Sequence, residues 1–490
     1  MRGYRHAVWP VLLLLVSCAI GPDYKRPVVE IPEVYRGSLQ SEEAASMADL
    51  SWWEIFEDPV LVELIETGLE NNLELEIAVD RTEQAYRQVV ATQSSFYPQA
   101  TYQGDAQRGR TNGADVGQQT TRSYDFTRYY GAFNVAWEID IWGRIRRASQ
   151  AARAELLASE DFQRGVLLSL VSDVASLYLL LLELDASHRI ATDAVEAFQH
   201  TLLLFTRKFE GGVGNKLEVS RAAAAEAQAA AWIPEIESQI AFVENQLSVI
   251  LGRPPGEIPR GVALLAQHLP EIPPGLPSEL LERRPDVRQA EQGVISANAQ
   301  IGVAMGNFLP RIGLVAMWGG VSENLGDLAS GSTSLWNVAG ELSGPIFKGG
   351  LLYSQYKAQV ALWEASRANY ELAALTAFGE VSSILVERRM LREERIARQR
   401  QVDQLTQSVT LSLLRYEQGF ASYFEVLQAQ QELFPAEFDL SEIQLEELLA
   451  VIKLYRALGG GWQLGLNWMP EPTPDPAEPP ASPPEAAPSS

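Results

Sequence analysis

Residues 208–219 read K-F-E-G-G-V-G-N-K-L-E-V, and residues 415–426 read R-Y-E-Q-G-F-A-S-Y-F-E-V. Both stretches carry Glu-x-Gly and then, six residues beyond that glycine, Glu-Val. Glycine accepts the positive φ angle that a tight chain reversal requires. Each turn follows a long segment that contains no proline, 143–210 in the first case and 348–417 in the second. The sequence therefore predicts two very long helices, each reversed at its end by a glycine turn.

Four landmarks recur in the same order along the chain, which indicates an internal repeat. The matching pairs are S-S-F-Y-P-Q at 94–99 with G-N-F-L-P-R at 306–311, F-N-V-A-W-E-I at 133–139 with W-N-V-A-G-E-L at 336–342, the two glycine turns, and Pro234 with Pro435. Their offsets are 212, 203, 207 and 201 residues. We infer a tandem duplication of about 200 residues, with a Pro- and Gly-rich linker between the copies.

Each copy has the same succession of elements. A helix of moderate length, 72–96 in the first copy and 286–308 in the second, ends at Phe-x-Pro because proline cannot continue a helix. Two strands and the long helix follow, and the glycine turn leads to a return helix at 215–251 or 422–458. The long helices would extend roughly 100 Å. We expect the two shorter helices of each copy to stack end to end beside the long one.

The segments before the long helices alternate between apolar and polar residues, as strands with two unlike faces do. In 128–142, one face carries Phe133, Val135, Trp137, Ile139 and Ile141, and the other carries Asn134, Ala136, Glu138 and Asp140. In 334–347, one face carries Trp336, Val338 and Leu342, and the other carries Asn337, Glu341 and Ser343. Less regular strands at about 99–108 and 311–321 precede them, and polar, Gly-rich loops at 111–127 and 322–333 join each pair.

This alternation fits a transmembrane barrel, and it also fits a soluble sheet or a sandwich. Four strands cannot close a barrel by themselves, since the smallest barrels have about eight strands. Open strand edges cannot face lipid, because their backbone groups would stay unpaired. If the strands lie in a membrane, several chains must therefore share one barrel.

The N-terminus has the features of a secretory signal peptide. Arg2 and Arg5 precede the apolar run A-V-W-P-V-L-L-L-L-V, which is too short to cross a bilayer. Residues 15–18, L-V-S-C, resemble a bacterial lipobox, whose cysteine is lipidated after cleavage. Ala19 follows instead of the aspartate that often retains such lipoproteins in the inner membrane. The alternative is that Cys18 is a buried cysteine of the mature chain.

Composition argues against several other classes of function. A formal net charge of −24 disfavours nucleic acid as a partner. The four histidines are scattered and Cys18 is the only cysteine, so the sequence contains no metal-ligand spacing and no pair for an intrachain disulfide. No phosphate-binding loop or nucleophile motif indicates an enzyme. The apolar segment 165–182 contains Asp173 and is interpreted as a core helix rather than a membrane span.

Five motifs together resemble the TolC-like outer-membrane efflux lipoproteins. They are G-P-D-Y-K-R-P at 21–27, W-W-E-I-F-E-D-P-V-L at 52–61, L-E-R-R-P-D-V-R-Q-A-E at 281–291, N-F-L-P-R-I at 307–312 and R-Y-E-Q-G-F-A-S-Y-F-E-V-L-Q-A-Q at 415–430. The resemblance implies a mainly α fold with a membrane β-barrel, in which each duplicated chain supplies four long helical-hairpin arms and four transmembrane strands. Three chains would form a twelve-stranded barrel, continuous with an α-helical barrel across the periplasm.

The resemblance also implies an organisation and a function. The segments are a lipoprotein signal peptide at 1–17, a lipid-anchored segment at 18–60, the two repeats at 61–255 and 278–462 with a linker at 256–277 between them, and a Pro-rich tail at 463–490 that is expected to be disordered. The homotrimer would be a passive outer-membrane channel, without enzymatic activity and without a cofactor apart from the lipid on Cys18. It would conduct drugs or other small toxic compounds after docking a periplasmic adaptor and an inner-membrane transporter, expected to be proton-driven.

Two other functions stay open at this stage. One is the outer-membrane exit duct of a type I protein secretion system, which would share the fold. The other is a coiled-coil lipoprotein that forms no pore, which would keep the lipid and the long helices but lose the barrel.

Matching the family's motifs to this sequence assigns roles to individual residues. The adaptor-docking tips would be Gly212, Val213, Gly214 and Asn215 in the first copy and Gly419, Phe420, Ala421 and Ser422 in the second. Leu411, Leu414 and Arg415 are candidates for the closed aperture, and they fit coiled-coil seam or surface positions equally well. Glu138, Asp140 and Glu341 would face the barrel lumen, which together with the acidic composition predicts a cation-preferring pore.

Overall fold

The computed structural model describes residues 19–36, 58–114, 121–267, 277–330 and 333–460. The signal peptide, Cys18 and the tail lie outside these residues. The first copy contains α1 Pro59–Asn71, α2 Leu73–Gln93, β1 Gln99–Ala114, β2 Thr121–Ile139, α3 Arg144–Glu210 and α4 Lys216–Ile250. The second contains α5 Pro277–Arg283, α6 Pro285–Gly306, β3 Arg311–Ser322, β4 Ser334–Ser343, α7 Leu351–Glu417 and α8 Tyr423–Ala457.

The helical arms of the two copies are related by one constant offset. The long helices α3 and α7 both have 67 residues, and the return helices α4 and α8 both have 35. Arg144 and Leu351 begin the long helices, Ile250 and Ala457 end the return helices, and each pair is 207 residues apart. The internal repeat predicted from the sequence is therefore present, and no insertion interrupts either hairpin.

One of the four sequence landmarks is not a repeat pair. Pro234 and Pro435 both lie inside return helices, but the 207-residue offset places Pro234 opposite Ser441. The two prolines are at different levels of their hairpins. Matching them was wrong, because the return helices have equal lengths and leave no room for a 201-residue offset.

The shorter helices stack end to end, as the sequence predicted. In the first copy, the Asn72 side chain accepts a hydrogen bond from Leu75 N and so caps α2, while its Nδ2 donates to Ile250 O at the end of α4 over 2.8 Å. In the second copy, Arg284 Nη1 donates to Ala457 O at the end of α8 over 2.9 Å. Each joint satisfies a helix-terminal carbonyl that has no partner within its own helix.

The core is built around α3, which packs against α1, α2, α4, α6 and α8. Tyr178, Leu179 and Leu181 of this helix are among the largest fully buried side chains. Twenty-six residues of α3 are buried, whereas only eight are buried in α7, which has the same length. Much of the surface of α7 is therefore uncovered in one chain.

Among the described residues, α3 is the one helix that is long and apolar enough to cross a membrane, with a window of mean hydropathy 2.1. In the folded chain, 56% of that window is buried. A core helix meets the same criteria, which agrees with the interpretation of 165–182 from the sequence.

A buried carboxylate fastens the linker between the two copies to the core. Asp58 is 1% exposed and caps α1 by accepting from Val60 N over 3.0 Å. Its Oδ2 accepts from the Tyr178 hydroxyl over 2.8 Å, from Val262 N over 2.9 Å and from Gln267 Nε2 over 2.8 Å. Burial alone would raise the pKa of Asp58, but these hydrogen bonds outweigh it and hold the pKa below its ordinary value.

Replacing Asp58 with asparagine is expected to lower the free energy of unfolding by about 2 kcal/mol at pH 7, because an amide nitrogen would face the N–H groups that the carboxylate accepts from. Since the folded pKa lies below the unfolded one, the ionised side chain stabilises the fold above about pH 4, and this contribution is lost as the pH falls through the folded value. Denaturant titrations monitored by helical circular dichroism at pH 7 and pH 3 measure both effects.

The matched control is Asp80→Asn, at an exposed position on α2. This variant should unfold like the wild type at both pH values. A difference between wild type and Asp58→Asn that persists unchanged at the lower pH would contradict the role given to the charge.

Candidate functional site

The four strands form one antiparallel sheet in the order β1-β2-β3-β4. β1 and β2 are longer than predicted, and the whole of β1, from Gln99 to Ala114, pairs with residues 121–136 of β2. The loop predicted at 111–127 was therefore too long, because its polar residues continue the backbone ladder without an apolar pattern. Tyr129 pairs with Ser322, the last residue of β3, so the rest of the first hairpin projects beyond the second.

One face of the sheet is apolar on all four strands. The register aligns the rows Tyr102–Phe133–Trp318–Trp336 and Ala100–Val135–Ala316–Val338. Phe133 and Trp318 stack with ring centroids 6.4 Å apart. In one chain Phe133 is 61%, Trp318 63% and Trp336 75% exposed. A continuous aromatic surface of this kind marks a contact with lipid or with another protein.

The opposite face of the sheet carries mostly polar and small residues, with Val315, Met317 and Leu335 among them. Asn134, Met317 and Asn337 form one row, and Glu138, Gly313 and Glu341 form another. The two unlike faces that the sequence alternation predicted are thus confirmed by the strand register. The small residue between Glu138 and Glu341 leaves room between the two carboxylates.

The predicted acidic residues are divided between the strands and the junction with α3. The Glu138 carboxylate accepts from Arg144 over 2.9 Å. Asp140 lies beyond the end of β2, and its carboxylate accepts from Ile145 N over 3.0 Å and from Arg146 N over 2.9 Å. The prediction that Asp140 lies on the polar face of the strand was wrong. The strand ends before this residue, and the Asp140 carboxylate caps the unpaired N–H groups at the start of α3.

The described part of the N-terminal segment, residues 19–36, begins at the same junction. Ile20 N donates to Trp142 O over 2.9 Å. Ala19 touches Gly143, where an added Cβ would lie 2.6 Å from the Ala19 Cα atom. Farther along, the segment hydrogen-bonds to α6. Ala19, the residue that follows Cys18, therefore lies at the junction between the sheet and the start of α3.

The two glycine turns lie at the other end of the long helices. Gly212 and Gly419 have φ angles of +73° and +76°, and a Cβ atom at either position would meet nothing within 4 Å. Glycine is thus required at these positions by the backbone conformation and not by lack of space. Val213 is 81% and Phe420 is 76% exposed, so each turn presents one apolar side chain to its surroundings.

The remaining predicted tip residues complete these turns. Asn215 caps α4 by accepting from Glu218 N over 3.0 Å, and the Glu218 side chain bonds back to the Asn215 backbone. Ser422 precedes α8 without a side-chain cap. Gly214 precedes Asn215 in the first turn, and Ala421 precedes Ser422 in the second. The structure thus brings all eight predicted tip residues into two adjacent turns.

An aromatic cluster that sequence reasoning missed holds the two tips side by side. Tyr423 shares a 2.5 Å hydrogen bond with Thr201, and its ring packs edge-on against Phe205 and Tyr416, with centroids 4.8 Å apart in both cases. Lys208 donates to the Tyr416 hydroxyl and lies 4.6 Å from the centre of its ring. Burial raises the pKa of Tyr423. Residues from both copies therefore form one unit at the tips.

The candidate aperture residues are exposed near the end of α7. Leu411 is 51% and Leu414 is 49% exposed, and Arg415 forms an ion pair with Glu425 at 3.8 Å. One chain does not bring these residues near Glu138 and Glu341 of the sheet, which lie at the other end of the helices. Within the described ranges, no group of three His, Cys, Asp or Glu residues could hold a metal ion.

Comparison with known proteins identifies the fold and the class. The family model described as Outer membrane efflux protein matches residues 64–253 and 276–460. The chain belongs to this family. It is 33% identical over 464 residues to the solvent efflux pump outer membrane protein SrpC of Pseudomonas putida, a match that covers 93% of this chain and 98% of SrpC.

Two further comparisons agree with this assignment. The efflux protein is 30% identical over 460 residues to the cation efflux system protein CusC of Escherichia coli O6:H1, covering 92% of this chain and 98% of CusC. The solved structure of the outer-membrane channel OprN matches with a TM-score of 0.83 and 26% identity, over 91% of this chain and 100% of that chain. The resemblance to the TolC-like family is confirmed, and the chain is an outer-membrane efflux channel protein.

Valine at both Gly212 and Gly419 is expected to abolish efflux while leaving the assembled protein intact. A β-branched residue cannot adopt the left-handed backbone of these turns without strain, so the exposed tips would be reshaped although the arms stay packed. Susceptibility of a deletion strain complemented with the variant to a solvent and to antibiotics measures the loss, and the level of folded protein in the outer membrane measures assembly.

The matched control places asparagine at both positions, since asparagine tolerates a positive φ angle better than other residues. This variant should retain most of the resistance. Wild-type resistance in the double valine variant would contradict a role of the tip conformation in efflux.

Proposed function

We propose that the efflux protein is the outer-membrane exit duct of a tripartite efflux system. In this assembly it conducts drugs, solvents or other small toxic compounds passively, after docking a periplasmic adaptor and a proton-driven inner-membrane transporter. The observation that carries the proposal is the exposed apolar face of the sheet, which lies at one end of helices about 100 Å long. A duct of this shape joins a membrane barrel to partners on the far side of the periplasm.

Three copies would close the barrel. Each chain contributes a four-stranded sheet whose outer strands, β1 and β4, each have one edge without a partner among the described strands. Twelve strands exceed the minimum of about eight for a barrel and leave a lumen wider than side chains alone would fill. The aromatic rows would then face lipid, and the row with Glu138 and Glu341 would face water.

The lipid on Cys18 would anchor the same end of the molecule. Cys18 itself lies outside the described residues, but Ala19 lies against Gly143 at the junction of sheet and helices. An acyl chain attached one residue earlier would start at the level of the predicted membrane surface. One lipidated cysteine beside a barrel adds to an insertion that the barrel already provides.

The tips would dock the adaptor, and the duct would need no catalytic residues. Val213 and Phe420 offer exposed apolar side chains at the end opposite the membrane, next to the cations Lys208 and Lys216. The relatives are named for solvent and for cation efflux, and a passive duct need not bind its cargo. The transporter that supplies the energy would therefore select the substrate.

Reconstitution into planar bilayers tests the proposal and, with one substitution, the assignment of the lumen. The wild type is expected to form discrete conductance steps that prefer cations over chloride. Among the described residues no ion pair involves Glu341, whereas Glu138 is neutralised in part by Arg144. Glu341→Gln should therefore move the reversal potential in a KCl gradient toward zero by more than Glu138→Gln does.

A folded protein that gives no conductance would favour the coiled-coil lipoprotein without a pore and would overturn the proposal. No shift for Glu341→Gln would contradict the placement of Glu341 in the lumen while leaving the channel itself intact. Equal shifts for the two glutamine variants would contradict the partial neutralisation of Glu138 by Arg144.

Arginine on the two faces of β4 tests which face meets lipid. Trp336→Arg is expected to cost about 2–4 kcal/mol near the middle of the membrane, and so to reduce the folded protein recovered from the outer membrane. Asn337→Arg is the matched control, because the next residue on the strand points to the other face and would meet water. Equal recovery of the two variants would contradict the proposed orientation of the sheet.

A further inference from the structure

The apolar face of the sheet stays uncharged over a defined distance from the helices. From Ile139 to Tyr129, every second residue of β2 and the residues paired with it across β1, β3 and β4 are aliphatic, aromatic, glycine or serine. Strands rise by about 3.3 Å per residue and tilt by about 40° in a barrel, so this stretch spans roughly 25 Å of height. That is the height of the apolar band of an outer-membrane barrel.

Arginine follows directly beyond this band on the same face. Alternate residues of β1 bring Arg108 and then Arg110 to the face that carries Tyr102, opposite Thr127 and Asp125 of β2. The two arginines would lie roughly 5 and 10 Å beyond the band, at the end of the sheet away from the helices. In the proposed orientation, this is the headgroup layer of the outer leaflet.

The two arginines differ in their partners. Arg110 Nε and Nη2 donate to the Asp125 carboxylate over 2.7 and 3.2 Å, so the charge of Arg110 is balanced within the hairpin. Arg108 is exposed, and within the described ranges no carboxylate pairs with it. Its guanidinium therefore offers an unbalanced fork of N–H donors, which suits two oxygens of one phosphate group.

The surface of β1 between Arg108 and the aromatic rows leaves room for an acyl chain. Gly104 and Ala106 occupy this face, and a Cβ atom at Gly104 would meet nothing within 4 Å. On the neighbouring strand, the β3–β4 loop folds onto the same face, where Leu328 Cδ2 would lie 3.3 Å from a Cβ atom at Gly131. The result is a shallow track on β1 that Leu328 borders and that ends at Arg108.

The acidic side chains of the β3–β4 loop do not balance Arg108. Glu323 and Asp327 precede Leu328, which packs over β2 and β3 rather than over β1. The Asp327 carboxylate accepts from Asn324 Nδ2 over 3.3 Å, within the loop itself. The positive charge of Arg108 thus stays available to an external anion.

Resting on the proposed orientation of the sheet in the membrane, we infer that Arg108 binds a phosphate of the outer-leaflet glycolipid, lipid A, with one acyl chain of that lipid on the track over Gly104. The leaflet decides the source of the phosphate. Phospholipids form the periplasmic leaflet, at the helical end of the sheet, whereas acylated and phosphorylated sugars form the outer one. Each chain of the proposed duct provides one such site on the outside of the barrel.

Lipid binding to the purified full-length protein in detergent tests the site. Native mass spectrometry with diphosphorylated lipid A should show one bound lipid per chain. Arg108→Gln should raise the Kd by about tenfold, because charge-assisted hydrogen bonds to phosphate are lost. Removing both phosphates from the lipid should weaken its binding to the wild type to a similar extent. Equal affinity of the wild type for both lipids would overturn the site.

Arg128→Gln is the matched control. Arg128 is exposed, and its neighbour on β2, Thr127, is the partner of Arg108, so the two arginines lie at nearly the same height on opposite faces of the sheet. The Arg128 guanidinium stacks 5.8 Å from the centre of the Tyr130 ring. This variant removes the same charge and should bind lipid A like the wild type. Equal weakening by the two substitutions would contradict recognition by the outer face.

Two competitors identify the source of the phosphate. Neither inorganic phosphate nor phosphatidylglycerol should displace lipid A from the wild type. Displacement by inorganic phosphate would show a general anion site and overturn the assignment to a lipid. Affinity for phosphatidylglycerol equal to that for lipid A would overturn the assignment to the outer leaflet.

Conductance in planar bilayers separates this site from the proposed function. Arg108 lies on the face opposite the lumen, so Arg108→Gln should conduct like the wild type while it binds lipid A more weakly. If this variant conducts and binds lipid A like the wild type, the lipid site is overturned and the duct stands. If the wild type forms neither trimers nor pores, both the lipid site and the duct are overturned.

Discussion

One constraint governs the structure: a backbone N–H or C=O group that faces lipid must have a hydrogen-bond partner. The four-stranded sheet has aromatic rows exposed on one face and an open edge on each outer strand. A single sheet in water would leave its aromatic rows exposed to solvent. A single sheet in lipid would leave the backbone N–H and C=O groups of its edge strands unpaired. Copies joined edge to edge remove both costs at once, so the proposed oligomer follows from the sheet rather than from the helices.

The duplication explains how one chain supplies two equivalent arms. The constant 207-residue offset keeps the long and return helices in step, and the same joint between helix ends is made by different residues. In the first copy the amide of Asn72 reaches Ile250 O, and in the second the guanidinium of Arg284 reaches Ala457 O. The geometry was retained while the side chains diverged.

Local patterns predicted most of the fold. The proline-free runs, the Phe-x-Pro stops and the glycine turns gave helices that agree with the structure to within a few residues, because each depends on neighbouring residues only. The alternation in 128–142 gave the two faces of β2 for the same reason. The outer part of the β1–β2 hairpin, which was predicted as a loop, was missed. Its pairing comes from backbone groups, and its side chains carry no apolar pattern.

Interactions between distant residues were not predictable in this way. Asp58 receives donors from Tyr178, Val262 and Gln267, and the tip cluster joins Lys208 to Tyr416 across the two copies. Nothing in the sequence near these residues indicates their partners. Asp140 was misplaced for a related reason, since alternation continues through it while its carboxylate caps the following helix.

The central claim is that the aromatic face of the sheet lies against lipid and the opposite face against water. Spin labels on cysteines introduced separately at Val338 and Ala339, adjacent residues of β4, measure this directly in membranes. The label at 338 should be reached by oxygen dissolved in lipid and the label at 339 by a water-soluble nickel reagent. Equal access of the aqueous reagent to both positions would contradict the account.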